Sequence, residues 1–115
     1  MRWAFLAAIL TALATGSAQA QTELQDVGCA GESGLRAVDE SKLTEVIFFN
    51  QSAATIRTYS LDHDGNRKFG TEIRPGDSYV QQTYVTHPWV VTKNEARTCV
   101  AIFQPQASSA IVVVH

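Results

Sequence analysis

The chain of 115 residues has two cysteines, three prolines, one methionine and only 17% charged residues. Nine basic against eleven acidic residues leave a formal charge of −2, so the basic surface that general nucleic-acid binding needs is missing. No run of about eighteen consecutive apolar residues occurs, which excludes an orthodox membrane helix. There is no C-x-x-C redox motif and no Cys-His cluster of zinc type. His63, His87 and His115 lie far apart and lack metal-ligand spacing. No G-x-S-x-G, H-E-x-x-H or phosphate-cradling glycine loop is present, so no enzyme class is indicated and no cofactor or metal is expected. What is present, 45% hydrophobic residues, suffices for one small domain.

The first twenty residues do not read as fold. Met1-Arg2-Trp3 gives a positively charged start, and residues 4–14 form an apolar stretch interrupted by Thr11. Gly16-Ser17-Ala18-Gln19-Ala20 places small residues at the −3 and −1 positions of a cut after Ala20. This is the layout of a secretory signal peptide, and it predicts a secreted or periplasmic protein with no membrane association after cleavage. Val27-Gly28-Cys29 is a poor lipoprotein site, because Asp26 stands where an apolar residue belongs. Without Arg2 the balance is 8 basic against 11 acidic residues, a charge of −3. Residues 21–34 are polar and glycine-rich and are expected to form a flexible N-terminal segment ahead of a domain over 35–115. In an oxidising compartment two cysteines in a small domain pair with each other, so a Cys29–Cys99 disulfide is expected.

From Glu45 onward the pattern is all-β. Val46-Ile47-Phe48-Phe49-Asn50 is a β-branched and aromatic run, and residues 55–61 alternate in character as a half-buried strand does. Asp64-Gly65 and Pro75-Gly76 mark turns. Residues 78–83, 89–92, 98–103 and 110–114 supply four further strands, and residues 32–43 are a weak helical candidate. Short strands separated by Gly and Pro turns suggest a β-sandwich. Asp62-x-Asp64-Gly65-Asn66 fails as a calcium loop, since Ile73 stands at the twelfth position. Asn50-Gln51-Ser52 is formally a glycosylation sequon.

The order of motifs is more specific than the strand pattern. Leu35-Arg36-Ala37-Val38, the run from Glu45 to Ser52, Asp64-Gly65, Pro75-Gly76 and Thr83-Tyr84-Val85-Thr86-His87-Pro88-Trp89 follow one another. Over residues 35–106 this resembles the β domain of the von Hippel-Lindau tumour suppressor family. The resemblance implies a seven-stranded β-sandwich that grips 4-hydroxyproline within an extended peptide. Thr83 and His87 fall on the positions that hold the hydroxyproline hydroxyl, Trp89 on the ring that packs against the pyrrolidine, and Tyr84 on a neighbouring pocket tyrosine. Two further aromatic positions of the pocket fall on Ser60 and Gly70, with Tyr59 and Phe69 each one residue away, so that a small bulge would bring either ring into place.

The expected ligand site is therefore Thr83, Tyr84, His87, Trp89, Tyr59 and Phe69. Plainer roles exist beside it: Trp89 as a core ring and His87 as a turn residue before Pro88. The leading expectation is an exported, non-enzymatic module that binds an extended or proline-containing protein segment, hydroxylated or not. The chain ends at His115, too soon for the family's ligase-binding domain, so no ubiquitin-ligase role is expected. The alternative is an extracytoplasmic structural or interaction domain that uses sheet edges without a specific pocket.

Overall fold

The computed structural model describes residues 21–115; the signal-peptide expectation for residues 1–20 lies outside them. Eight strands follow in chain order among the described residues: β1 (Thr22–Glu23), β2 (Leu43–Asn50), β3 (Ile56–Leu61), β4 (Arg67–Ile73), β5 (Ser78–Tyr84), β6 (Trp89–Lys93), β7 (Cys99–Phe103) and β8 (Ala110–Val114). They form two four-stranded sheets, ordered β1-β8-β2-β5 and β4-β3-β6-β7. The chain is an all-β sandwich as expected, with the two-residue β1 raising the strand count from seven to eight.

The sheets form because inward and outward residues alternate. On β2, Thr44, Val46, Phe48 and Asn50 are buried, and the residues between them are partly exposed. Val46, Phe48, Ala110, Val112 and Val114 of one sheet meet Ile56, Ile73, Trp89, Val91 and Phe103 of the other, and these make the main core. Each fully buried Val, Ile or Phe side chain among these contributes about 1.5–3 kcal/mol of transfer free energy. The Phe48 and Trp89 rings meet edge to face, with centroids 6.0 Å apart.

Strand β6 is buried on both faces, because a smaller cluster of Leu61, Val90 and Ile102 lies on the outer side of its sheet. That cluster packs against Cys29, Leu35, Tyr59 and Cys99. Residues 21–34, expected to be flexible, are instead seated on the sandwich. β1 pairs in parallel with β8, and Leu24 joins the main core. The Asp26 carboxylate accepts a hydrogen bond from the Ile102 amide at 2.9 Å, and Cys29 is bonded to Cys99. Closing a loop of 70 residues constrains the unfolded chain by about 4 kcal/mol. Glu32 receives two 2.7 Å bonds from the Arg67 guanidinium. These tethers lie far away in sequence, which is why local composition reads as loose.

Two other differences concern local pattern. Residues 32–43, a helical candidate, hold no α-helix; a short 3-10 turn over Cys29–Gly34 gives way to extended chain. Strand β4 has no counterpart among the expected strands. Its sequence RKFGTEI carries three charged residues and is largely exposed because, among the described residues, β4 is an edge strand of its sheet with a neighbour on one side only. The turn that follows uses Pro75 and then Gly76 at φ 85°, the left-handed position a type II turn requires. Asn50 locks the neighbouring corner. Its amide nitrogen donates to the Ala54 and Ile73 carbonyls at 2.7 and 2.9 Å, and its oxygen accepts from Ser52.

Candidate functional site

Strand β5 ends with Thr83 and Tyr84, a tight turn closes with the His87 amide bonded to the Tyr84 carbonyl at 3.1 Å, and Pro88 leads into Trp89 at the start of β6. Alternation along β5 sends Thr83 inward and leaves Tyr84 partly exposed. The Thr83 hydroxyl accepts a 2.9 Å hydrogen bond from Trp89 Nε1, and both residues are about 95% buried (5% and 4% exposed). A buried indole N–H needs such an acceptor, because leaving it bare is costly.

Gly70 lies close against the Trp89 ring. A Cβ at that position would stand 2.6 Å from Cζ3 of Trp89 and 2.7 Å from the Thr58 hydroxyl. Here the sheet carries a bulge: Thr58 faces Thr71, Tyr59 faces Phe69, and Gly70 is the extra residue. The bulge brings Tyr59 and Phe69 together, edge to face at 5.8 Å, with the Arg67 guanidinium 5.8 Å over the Tyr59 ring. Tyr59 sits opposite Val90 and packs with the outer cluster, whereas Trp89 belongs to the inner one. The two aromatic groups therefore occupy opposite faces of one sheet. Phe69 is 61% exposed and, with Tyr59, Arg57, Arg67, Glu95 and Arg97, lines an open groove of about 400 Å³.

His87 takes a third direction. Its ring lies 5.1 Å from that of Tyr84, and its Nε2 is 2.9 Å from Oε2 of Glu40. Nε2 of His63 reaches the same oxygen at 2.7 Å. The two bonds to imidazole, His63 first, hold the Glu40 carboxyl below the usual carboxylate range. Asp39 is likewise lowered, chiefly by the Ser41 amide and hydroxyl that donate to it.

The six expected ligand residues thus form three groups: Thr83 with Trp89 in the interior, Tyr84 with His87 at the β5–β6 turn, and Tyr59 with Phe69 on the outer face. Glu40 and His63 join the second group and lie outside the expected site. They are 47 and 24 residues from His87 in sequence and come from separate turns, so no spacing pattern announces them. The arrangement supplies an exposed aromatic groove beside an outer strand edge, and a separate cluster of two imidazoles on one carboxylate.

No curated protein matches this chain. A family model, the VHL beta domain, matches residues 35–106, the stretch from Leu35 through all of β2 to β7. Covering well over half of the sequence, it places the bulged β4, the β5–β6 turn and Trp89 within one continuous match: the chain belongs to the VHL beta domain family.

Proposed function

We propose that this chain is an exported, non-enzymatic recognition module that holds an extended protein segment along the outer edge of β4. One observation carries the reading: among the described residues β4 is an edge strand of its sheet, and it displays the exposed Phe69 ring against Tyr59 beside its bulge. An extended ligand adds to such an edge through main-chain hydrogen bonds, and the aromatic groove selects alternate side chains. Membership of a family of protein-recognition modules supports the same conclusion, and the Cys29–Cys99 disulfide fits an oxidising compartment.

The Thr83 hydroxyl is already engaged by Trp89, so in this reading the two residues back β4 from inside and do not select a ligand hydroxyl. A proline in the ligand is accommodated at positions whose N–H would face away from β4. Titration calorimetry with proline-containing extended peptides, each in unmodified and 4-hydroxylated form, tests this. The expected result is equal binding of both forms and loss of binding in Phe69→Asp. Absence of binding to every peptide removes the reading, and a tenfold preference for the hydroxylated form shows that Thr83 and Trp89 open to ligand.

A second reading, an interaction domain working through a sheet edge without a pocket, is favoured by β5. This strand ends the other sheet among the described residues, and Tyr79 and Val80 are exposed along it. In that case Val80→Asp abolishes association with a partner and Phe69→Asp does not.

A further inference from the structure

We infer that Glu40, His63 and His87 form a site for one zinc-class divalent ion, with three protein ligands and a fourth position open to solvent. The inference stands apart from peptide capture along β4. Its basis is convergence: one donor atom from each residue lies within 4.8 Å of the others, and both imidazole Nε2 atoms point at one carboxylate oxygen. In a tetrahedral zinc site with bonds of about 2.0–2.1 Å, neighbouring donors stand about 3.3 Å apart. The two nitrogen–oxygen distances of 2.7 and 2.9 Å need to open by about half an ångström to admit the ion. Side chains with this exposure, 56% for His63 and 47% for Glu40, can make that adjustment.

The three donor-bearing segments are clipped to one another. The Thr86 hydroxyl, next to His87, accepts hydrogen bonds from the Val38 and Asp39 amides at 3.1 and 3.0 Å and donates to the Asp39 carbonyl at 2.9 Å. The Ala37 amide donates to the Asp62 carbonyl at 3.0 Å, beside His63. Asp62 in turn accepts from the Asp64 and Asn66 amides and fixes the turn that carries His63. The His87 ring is braced by Tyr84. Such outer contacts set ligand direction before an ion arrives.

The donor set decides the ion class. Two neutral imidazoles and one carboxylate suit zinc, cobalt, nickel or copper, whereas calcium and magnesium take oxygen ligands. On binding, each Nε2 gives its lone pair to the ion. A neutral imidazole that was donating to Glu40 moves its proton to Nδ1, and an imidazolium releases one proton to solvent.

The test uses tag-free, disulfide-intact protein stripped with chelator, then titrated with zinc chloride by calorimetry and with cobalt(II) by visible absorption. The expected result is saturation at one ion per chain and tetrahedral cobalt bands. His63→Ala and Glu40→Gln weaken binding by about tenfold or more, and Thr86→Val weakens it by about tenfold with all three ligands retained. His115→Ala leaves it unchanged. Circular dichroism confirms that the exposed His63 variant is folded. Failure to saturate, octahedral cobalt bands, unaltered affinity in His63→Ala, or loss of binding in His115→Ala overturns the assignment.

Discussion

Replacing Thr83 by Val keeps the shape of the side chain and deletes the acceptor that satisfies Trp89 Nε1. The indole N–H is then stranded in an interior where its residue is 4% exposed. An orphaned buried donor costs about 1–3 kcal/mol, and the methyl that replaces the hydroxyl returns up to about 0.8 kcal/mol of apolar burial. With the full methyl gain, the net loss expected is about 0.2–2.2 kcal/mol. Thr83→Ser, which keeps the acceptor, loses only the methyl contribution. The decisive comparison is a double-mutant cycle with Trp89→Phe, measured by urea unfolding of the disulfide-intact domain and followed by circular dichroism. In the Trp89→Phe background there is no N–H to strand, so Thr83→Val becomes neutral or stabilising; the methyl contribution cancels in the cycle and the coupling energy is about 1–3 kcal/mol. Coupling near zero, with Thr83→Val neutral in the wild-type background, refutes the reasoning. It would mean that the Thr83 hydroxyl is free to meet a ligand.

Gly70→Ala forces a Cβ to within 2.6 Å of the Trp89 ring and 3.1 Å of the Thr58 carbonyl, and is expected to cost about 1–3 kcal/mol in the same assay. Adding Trp89→Phe, which removes the clashing edge of the indole, should recover part of that loss. The domain should also weaken in acid. The Arg67 guanidinium holds the Glu32 carboxyl below its ordinary value, so this pair stabilises the fold above the ordinary carboxylate range and ceases to do so as pH falls through the lowered value. Because both side chains keep about a quarter of their exposure, the pair is worth no more than about 1 kcal/mol. Urea unfolding at neutral pH and near pH 3 should show Glu32→Gln less stable at neutral pH and less sensitive to acid.

The parts of the fold legible in the sequence are those governed by neighbours along the chain. β2 declares itself through Val46 and Phe48 alternating with less buried residues, and Pro75-Gly76 declares a turn through its own backbone restrictions. β4 does not, because an edge strand needs little apolar surface and RKFGTEI is mostly charge and solvent contact. The segment holding β1 and Cys29 is polar by itself and gains its order from Ile102, Ile111 and Cys99. At the site, the bulge opposite Tyr59 is conceivable from sequence, but not the face to which it turns the rings. The Glu40 cluster is invisible for the most general reason: three turns contribute one residue each, and tertiary hydrogen bonds through Thr86 and Asp62 bring them together.

The position of β8 constrains the order of assembly. It is the last of the described strands, yet it lies inside its sheet, parallel to β1 on one side and β2 on the other. β2 and β5 pair antiparallel, but Val46, Phe48 and Leu24 cannot be sealed until Ala110, Val112 and Val114 arrive. Long-range parallel pairing is slow, since the loop must close before any contact rewards it. The half-made sandwich therefore stays open until β8 is available. That delay suits the export proposed above, because a chain threaded through a membrane from its N-terminus must not close its core on the way.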